Sequence, residues 1–285
     1  MKKKMIRVLL ILSFAAFTFF YTHKGIELFK NMDPIMEEIK KEKSKYEQPS
    51  RDATVMKDQI IPGYSGILVD IDKSYVQMKK MNKYNQNYYV YKIKSPEVSI
   101  KNNYDKYITK GNYLKNEVSF VFSIRKENNN LLDIYQVLED KNIYGTFFVD
   151  GIYIKEHPKD IITLEDSAHE VEALSYNNQY KKEDIMNASR ELESIINRKG
   201  NYCFIRDKNI DILNSCMNNK MYTVIPSFIV NTFSDLKNNL ESGSIIEINI
   251  DKLEELSTYI NYVKQKGYTL VTLSELLSEN RTMEK

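Results

Sequence analysis

Few side chains of this 285-residue chain combine the type and the spacing that metal-ion or acid–base chemistry needs. There are three histidines: His23 borders an apolar run, His157 precedes a proline in a predicted loop, and His169 begins the segment HEVEAL. Asp166, His169 and Glu172 could be considered as a set of metal ligands. Alternation along a strand sends His169 and the residue after it to opposite faces, so we favour a hydrogen-bonded or solvent-exposed histidine.

Two aspartates follow predicted strands and could be considered as catalytic carboxylates. Asp150 precedes Gly151, which is ordinary turn chemistry. Asp207 follows Arg206, where it could cap the next helix. We predict structural roles for both aspartates.

The strand end in EVSFVFSIRKENN, residues 117–129, is the most informative place in the chain. Its apolar residues alternate as in a buried strand, and the run stops at Ser123, Ile124, Arg125 and Lys126. The C-terminal ends of strands are where α/β proteins usually bind ligands. This end offers no carboxylate, histidine or thiol.

The elements that would position this strand end form a regular series. Strand-like runs occur at VSFVFSI, IYGTFFVD, HEVEALS, NYCFIRD, MYTVIPS, GSIIEINI and YTLVTLS, and helical patterns separate most of them. Thr272 with Glu275, and Asp251 with Glu254, have capping-box spacing. Strands that alternate with helices indicate parallel βαβ units. About seven of them predict an irregular (β/α) barrel, with a doubly wound sheet as the alternative.

The chain before this series divides into three predicted parts. Residues 1–24 form a signal anchor, residues 25–62 a charged helical stalk and linker, and residues 63–115 a small α+β module. Residues 116–285 then form the α/β domain. The stalk helix is predicted to begin at Asp33-Pro34, as an N-cap followed by a proline at the first helical position.

The N-terminus has the pattern of an export signal. Three lysines and Arg7 precede an apolar run over residues 8–21, and no small-residue cleavage site follows it. We therefore favour an uncleaved anchor over a cleaved signal peptide. Positive charges before the span place the N-terminus in the cytoplasm and the rest outside. The prediction is a single-pass cell-membrane protein with an extracytoplasmic C-terminal domain.

Composition and cysteine content add limited information. The net charge is +2 and there is no basic stripe with interleaved aromatic residues, so nucleic acid is a poor candidate partner. Cys203 and Cys216 do not form a CxxC motif, which argues against a structural zinc site. A disulfide between them is possible in an oxidising compartment, but we favour two buried thiols.

Residues 118–277 resemble the polysaccharide deacetylase family, the NodB-homology carbohydrate esterases. YGTFFVDG resembles the family's second strand, and YVKQKGYTLVTLSELL resembles its C-terminal helix and last strand. HEVEALSYNN is similar to the segment HEIGNH-[ST]-x-x-H of the family. GSIIEIN is similar to the strand that ends in its late histidine.

The resemblance implies metal-assisted removal of an acetyl group from an N-acetylated sugar. One carboxylate and two imidazoles would hold the ion, with a second carboxylate as base and a histidine as acid. The family's residues are absent at the matching positions. Ser123 and Ile124 replace the two aspartates, Leu174 and Asn178 the metal histidines, and Asn249 the late histidine. The arginine of the third motif falls near residues 203–206, without the proline-glycine pattern.

These replacements predict a pseudoenzyme with no catalytic residue, no metal ligand and no cofactor. The place of the family's active site would then be lined by Ser123, Arg125, Asn178 and Asn249. Their hydroxyl and amide groups could form hydrogen bonds with sugar hydroxyls. The guanidinium could pair with an anionic cell-wall polymer. We predict a cell-envelope protein that binds a cell-wall glycan or a membrane or envelope protein. The alternatives are an active carbohydrate de-N-acetylase with a non-standard site, and a scaffold of a membrane complex that uses its N-terminal module as contact surface.

Overall fold

The computed structural model describes residues 13–14, 17–18, 27–128 and 130–281, and the side chains of residues 251–253 lie outside this description. In chain order the strands are β1 (Thr54–Met56), β2 (Gln59–Ile61), β3 (Gly66–Val69), β4 (Tyr91–Lys94), β5 (Tyr107–Ile108), β6 (Glu117–Ile124), β7 (Thr146–Val149), β8 (Glu170–Ala173), β9 (Tyr202–Phe204), β10 (Tyr222–Val224), β11 (Phe228–Val230), β12 (Ile245–Ile248) and β13 (Thr269–Leu270). The helices are α1 (Pro34–Glu42), α2 (Ile71–Lys80), α3 (Leu131–Asp140), α4 (Gly151–Glu156), α5 (Pro158–Asp166), α6 (Lys182–Ile196), α7 (Ile210–Asn218), α8 (Phe233–Asn239), α9 (Leu256–Gln265) and α10 (Leu273–Leu277).

Two sheets of mostly parallel strands form the core of the larger part of the molecule. The first has the order β11-β12-β6-β7-β8, with β13 also beside β6, and all its pairs are parallel. The second has the order β1-β2-β5-β10-β9, parallel except for the β1–β2 hairpin. The predicted α/β class with parallel strands is confirmed, and all seven predicted runs are strands. Their order fits the predicted irregular barrel.

Strand β6 shows why the barrel positions its side chains as it does. Phe120, Phe122 and Ile124 lie in the apolar cluster shared with helix α3, whereas Val121 packs in a second cluster with Phe148 of β7. Side chains of a strand alternate between its faces. The strand is therefore buried on both faces, as the centre of a parallel sheet should be.

Helix ends follow the sequence signals in part. Thr272 accepts a hydrogen bond from the backbone N–H of Glu275 in the predicted capping box at the start of α10. The side chain of Asp251, in the other predicted capping box, lies outside the described residues, and residues Ile250–Glu255 form a 3₁₀ helix. Asn209 caps α7 by accepting from two backbone N–H groups, so the predicted cap at Asp207 is wrong.

The chain divides into two compact units whose bounds differ from the predicted ones. The larger unit comprises Ser50–Ser65 and the described residues from Ser95 onward, and the smaller comprises the described residues up to Pro49 with Gly66–Lys94. The predicted module at 63–115 thus contains residues of both units. Strand β5 belongs to the larger unit because it pairs with β2 and β10, and pairing between short, distant strands leaves no local signal in the sequence.

The smaller unit contains α1, β3, α2 and β4, with β3 and β4 paired antiparallel. Its core includes Ile35 and Ile39 of α1, packed with Val69 and Met78. Asp33 is the N-cap of α1, as predicted. The prediction of a solvated stalk is wrong for this helix, since its few apolar residues are all on the buried side.

Almost all of the predicted signal anchor, residues 1–24, lies outside the described residues. Within the part of the chain that the structure describes, no helix is both long enough and apolar enough to cross a bilayer.

Candidate functional site

A buried carboxylate at the C-terminal end of the barrel binds two of its neighbours. Glu247 of β12 accepts a hydrogen bond from Ser123 Oγ at 2.6 Å. It also accepts two from Arg206, from Nε at 2.9 Å and from Nη2 at 2.7 Å. The Glu247 side chain is 1% exposed and that of Arg206 is 49% exposed. This bidentate contact raises the pKa of the Arg206 guanidinium further.

The alternation of side chains along the strands brings these groups together. Ser123 lies two residues after Val121, and Glu247 lies opposite Val121 in the sheet register. Both side chains therefore project to the barrel interior. The side chain of Ile124 points to the opposite face of the strand and packs among the helices, so it does not fill the C-terminal end of the barrel.

Arg206 is presented by a loop that a disulfide fixes. Cys203 of β9 and Cys216 of α7 form a disulfide with a Cα–Cα distance of 6.4 Å. Both residues are fully buried. The prediction of two free thiols is therefore wrong. Cysteine spacing alone could not reveal that α7 folds back onto β9.

Asp150 organises the neighbouring loop, which includes the positions of the family's histidine segment. It is fully buried and accepts hydrogen bonds from the backbone N–H of Ile152, Asn177 and Asn178 and from Ser175 Oγ. It is thus the N-cap of α4 and the anchor of the 175–178 turn, in keeping with its predicted structural role.

The mouth of the barrel contains two adjoining cavities. The first, of about 270 Å³, is lined mainly by Leu174, Tyr180, Phe204, Ile205 and Ile212, with Asp207 and Asn209. The second, of about 490 Å³, is more polar and is lined by residues that include Glu127, Asn128, Asn231, Glu247 and Asn249. Ser123, Arg125 and Arg206 line both. We call the two cavities together the cleft.

The structure brings three of the four predicted binding residues to the cleft. Ser123 and Arg125 line both cavities and Asn249 lines the second. Asn178 lines neither cavity, because its side chain accepts from the backbone N–H of Lys126 and donates to Glu127. This hydrogen bond lowers the pKa of Glu127.

The cleft residues Glu247 and Tyr180 were not predicted from the sequence. A glutamate within the buried run GSIIEINI was a usable signal, since a buried charge needs a partner. Tyr180 had no comparable signal, because its place on the wall depends on the turn held by Asp150.

The residues present do not fit a divalent cation at the position where the resemblance would put one. Ile124 and Leu174 have no donor atom, and the buried carboxylate that lines the cleft, Glu247, is neutralised by Arg206. Among the residues that the structure describes, no group of three or more His, Cys, Asp or Glu side chains could hold a metal ion.

The possible metal set around His169 does not assemble either. His169 accepts from the backbone N–H of Gly145 at 3.2 Å and lies 3.3 Å from a Glu139 oxygen. Its burial lowers its pKa. The interpretation as a hydrogen-bonded histidine is confirmed.

Glu172, the other member of that possible set, belongs to a separate buried network. It accepts hydrogen bonds from Arg198 Nη1 at 3.2 Å and from the backbone N–H of Asn201 and Tyr202. Burial, and next the charge of nearby Glu170, raise the pKa of Glu172 to about 8.

Comparison with known proteins agrees with the resemblance to the polysaccharide deacetylase family. Residues 110–204 match the family model for polysaccharide deacetylase. YlxY, an uncharacterized protein of Bacillus subtilis (strain 168), is 26% identical over 277 residues, which cover 88% of this chain and 86% of YlxY.

Solved structures share the fold. Wild-type BA3943 from Bacillus anthracis, a CE4 family pseudoenzyme, gives a TM-score of 0.68 at 24% identity, covering 87% of this chain and 96% of that one. A BA3943 mutant with restored enzymatic activity gives 0.68 at 23% identity, covering 87% and 99%. A family 4 carbohydrate esterase from Bacillus anthracis gives 0.53 at 21% identity, covering 61% and 88%. Residues 110–204 therefore match the polysaccharide deacetylase family, and the solved structures share its fold. Ser123, Ile124, Leu174 and Asn178 lie within the matched residues.

Proposed function

We propose that this protein is a catalytically inactive, membrane-anchored polysaccharide deacetylase-like protein that binds glycan in the cell envelope. The observation that carries the proposal is the ion pair between Glu247 and Arg206, which engages Ser123 at the strand end where the family's chemistry would begin. Serine and asparagine do not titrate near neutral pH, so they cannot replace the family's base or acid. The pseudoenzyme BA3943, of the same fold, supports this interpretation.

The cleft has the character of a site for an uncharged polymer. Tyr180 is 39% exposed on its wall and could stack against the apolar face of a sugar ring. The lining includes the cations Arg125 and Arg206 and the carboxylates of Glu127, Asp207 and Glu247. A cleft without excess positive charge favours a neutral glycan over the anionic polymer that Arg125 alone suggested.

The disulfide supports an extracytoplasmic location. Disulfides persist in oxidising compartments and are rare in the cytosol. The pair Cys203–Cys216 agrees in this respect with the export pattern at the N-terminus. Both features are expected of a protein that meets the cell wall.

Co-sedimentation with purified peptidoglycan tests the binding function, with soluble chitooligosaccharides as competitors. We expect wild-type protein to sediment, and Tyr180→Ala and Arg125→Ala to bind at least about tenfold more weakly, equivalent to about 1.4 kcal/mol. Arg190→Ala is the matched control, since Arg190 is a surface cation outside the cleft whose Nη1 donates to Asn187. A wild-type protein that stays in the supernatant would favour the scaffold alternative instead.

A further inference from the structure

The smaller unit presents an unusually exposed apolar surface beside the predicted anchor. Leu28, Phe29 and Met32 are 64%, 80% and 72% exposed, and Val76 of α2 is 51% exposed. Residues 27–31 are helical, so the spacing of 28, 29 and 32 places these three side chains on one face. We call these four residues the apolar patch.

Contacts on the other side of the 27–31 segment fix it against α2. Lys30 pairs with Asp72, and its Nζ lies 5.4 Å from the centre of the Tyr75 ring. The Asp33 carboxylate accepts from Lys79 Nζ at 2.6 Å and from Tyr75 Oη at 3.0 Å. The exposed face of the segment is therefore held outward by four contacts to one helix, two from Lys30 and two from Asp33.

Val76 lies on the same side of α2 as this segment. Ser74 and Met78 are fully buried, and Ser74 Oγ accepts from the backbone N–H of Val90, just before β4. Val76 is two residues from each, so it points about 200° away from them around the helix. It is one turn from Asp72, the partner of the segment, and it extends the apolar patch.

The chain upstream indicates what covers the patch. The apolar run over residues 8–21 ends seven residues before Leu28, a reach of at most roughly 25 Å for extended chain. If this run is inserted in a bilayer, the patch cannot leave the neighbourhood of the headgroups. Helices with exposed apolar faces lie in that interface with the face sunk about 5–10 Å into it.

We propose that the smaller unit lies on the bilayer surface, with the side chains of Leu28, Phe29, Met32 and Val76 in contact with lipid. This inference rests on the membrane anchoring in the proposed function. It adds that a folded part of the extracytoplasmic region, in addition to the anchor, binds the membrane surface. We propose lipid as the partner of the apolar patch, because the short link from the predicted anchor to Leu28 keeps the patch close to the bilayer.

Tryptophan fluorescence tests the proposal directly, because the chain contains no tryptophan. Single variants of the full chain are reconstituted in bilayers with and without lipids brominated near the headgroup end of their acyl chains. Val76→Trp reports on the patch and Phe14→Trp on the anchor. Ile93→Trp is the matched control, because Ile93 is 39% exposed on β4. This strand begins directly after Val90, which Ser74 contacts, on the side of α2 opposite to Val76.

We expect brominated lipid to remove most of the emission of Val76→Trp and of Phe14→Trp and to leave that of Ile93→Trp nearly unchanged. Quenching of Phe14→Trp but not of Val76→Trp would overturn the bilayer contact and leave the anchor standing. The absence of quenching in Phe14→Trp would refute the anchoring itself. Equal quenching of Val76→Trp and Ile93→Trp would also overturn the proposal, since it would show no preferred face.

Discussion

Removing the guanidinium from the cleft should cost more stability than removing the carboxylate. In Arg206→Leu, Glu247 keeps one hydrogen bond, from Ser123, while its side chain stays 1% exposed. In Glu247→Leu, the Arg206 side chain is already 49% exposed and can turn to water. The two halves of one ion pair are therefore not equivalent, because only the carboxylate is trapped.

The size of the difference follows from the burial of the two groups. Breaking a fully buried pair costs about 3–5 kcal/mol, whereas an exposed pair contributes about 0.2–1 kcal/mol. With one partner buried and the other half-exposed, we expect about 2 kcal/mol for Arg206→Leu and about 1 kcal/mol for Glu247→Leu. The double variant should lose no more than the arginine variant alone, because it leaves no charge without a partner.

Urea unfolding of the four proteins, followed by circular dichroism, measures these values as a double-mutant cycle. The slope of the free energy against urea should stay constant, so that the shifts report on stability. Costs that simply add, within about 0.5 kcal/mol, would show that the two residues do not interact. A glutamate variant less stable than the arginine variant would refute the reasoning from burial.

Three further changes test other parts of the structure. The double variant Cys203→Ala/Cys216→Ala should lose about 3 kcal/mol for a loop of this length, and reductant should destabilise the wild type but not the variant. The pKa of Glu172 rises from 4.5 to about 8 through burial and the charge of Glu170, so the folded state binds the proton more tightly than the unfolded one. The stability of the wild type relative to Glu172→Gln should then fall as pH rises from about 5 to 8, by at most about 1.4 kcal/mol per unit; a pH-independent difference would contradict this. Asp150→Ala should cost about 3 kcal/mol, since it removes a cap and leaves three further donors without their acceptor, and hydrogen exchange should show faster exchange in the 175–178 turn.

The regular part of the fold could be predicted from sequence because it depends on local patterns. The alternation in β6 and the capping box at Thr272 act within a few residues, and both are present in the structure. That Ser50–Ser65 belongs to the larger unit could not be predicted, because it depends on the pairing of β2 with β5. The length of the intervening chain gives no hint of that partner.

The candidate site was predictable in position but only partly in composition. Strand ends placed Ser123 and Asn249 at the mouth, since parallel strands end on one side of a barrel. Asn178 was expected to face the ligand. Instead, its backbone N–H donates a hydrogen bond to the Asp150 carboxylate, and its side chain donates to Glu127. A contact of this kind, between side chains far apart in sequence, becomes visible only in three dimensions.

Acetate release tests directly whether this protein keeps the deacetylase fold without the family's chemistry. Purified protein would be incubated with N-acetylated chitooligosaccharide and with peptidoglycan, with divalent metal added, beside an active family 4 carbohydrate esterase. We expect no acetate above the protein-free background, since Ser123, Ile124, Leu174, Asn178 and Asn249 stand where the family has its base, its metal ligands and its late histidine. Acetate released at a rate near that of the active esterase would contradict it.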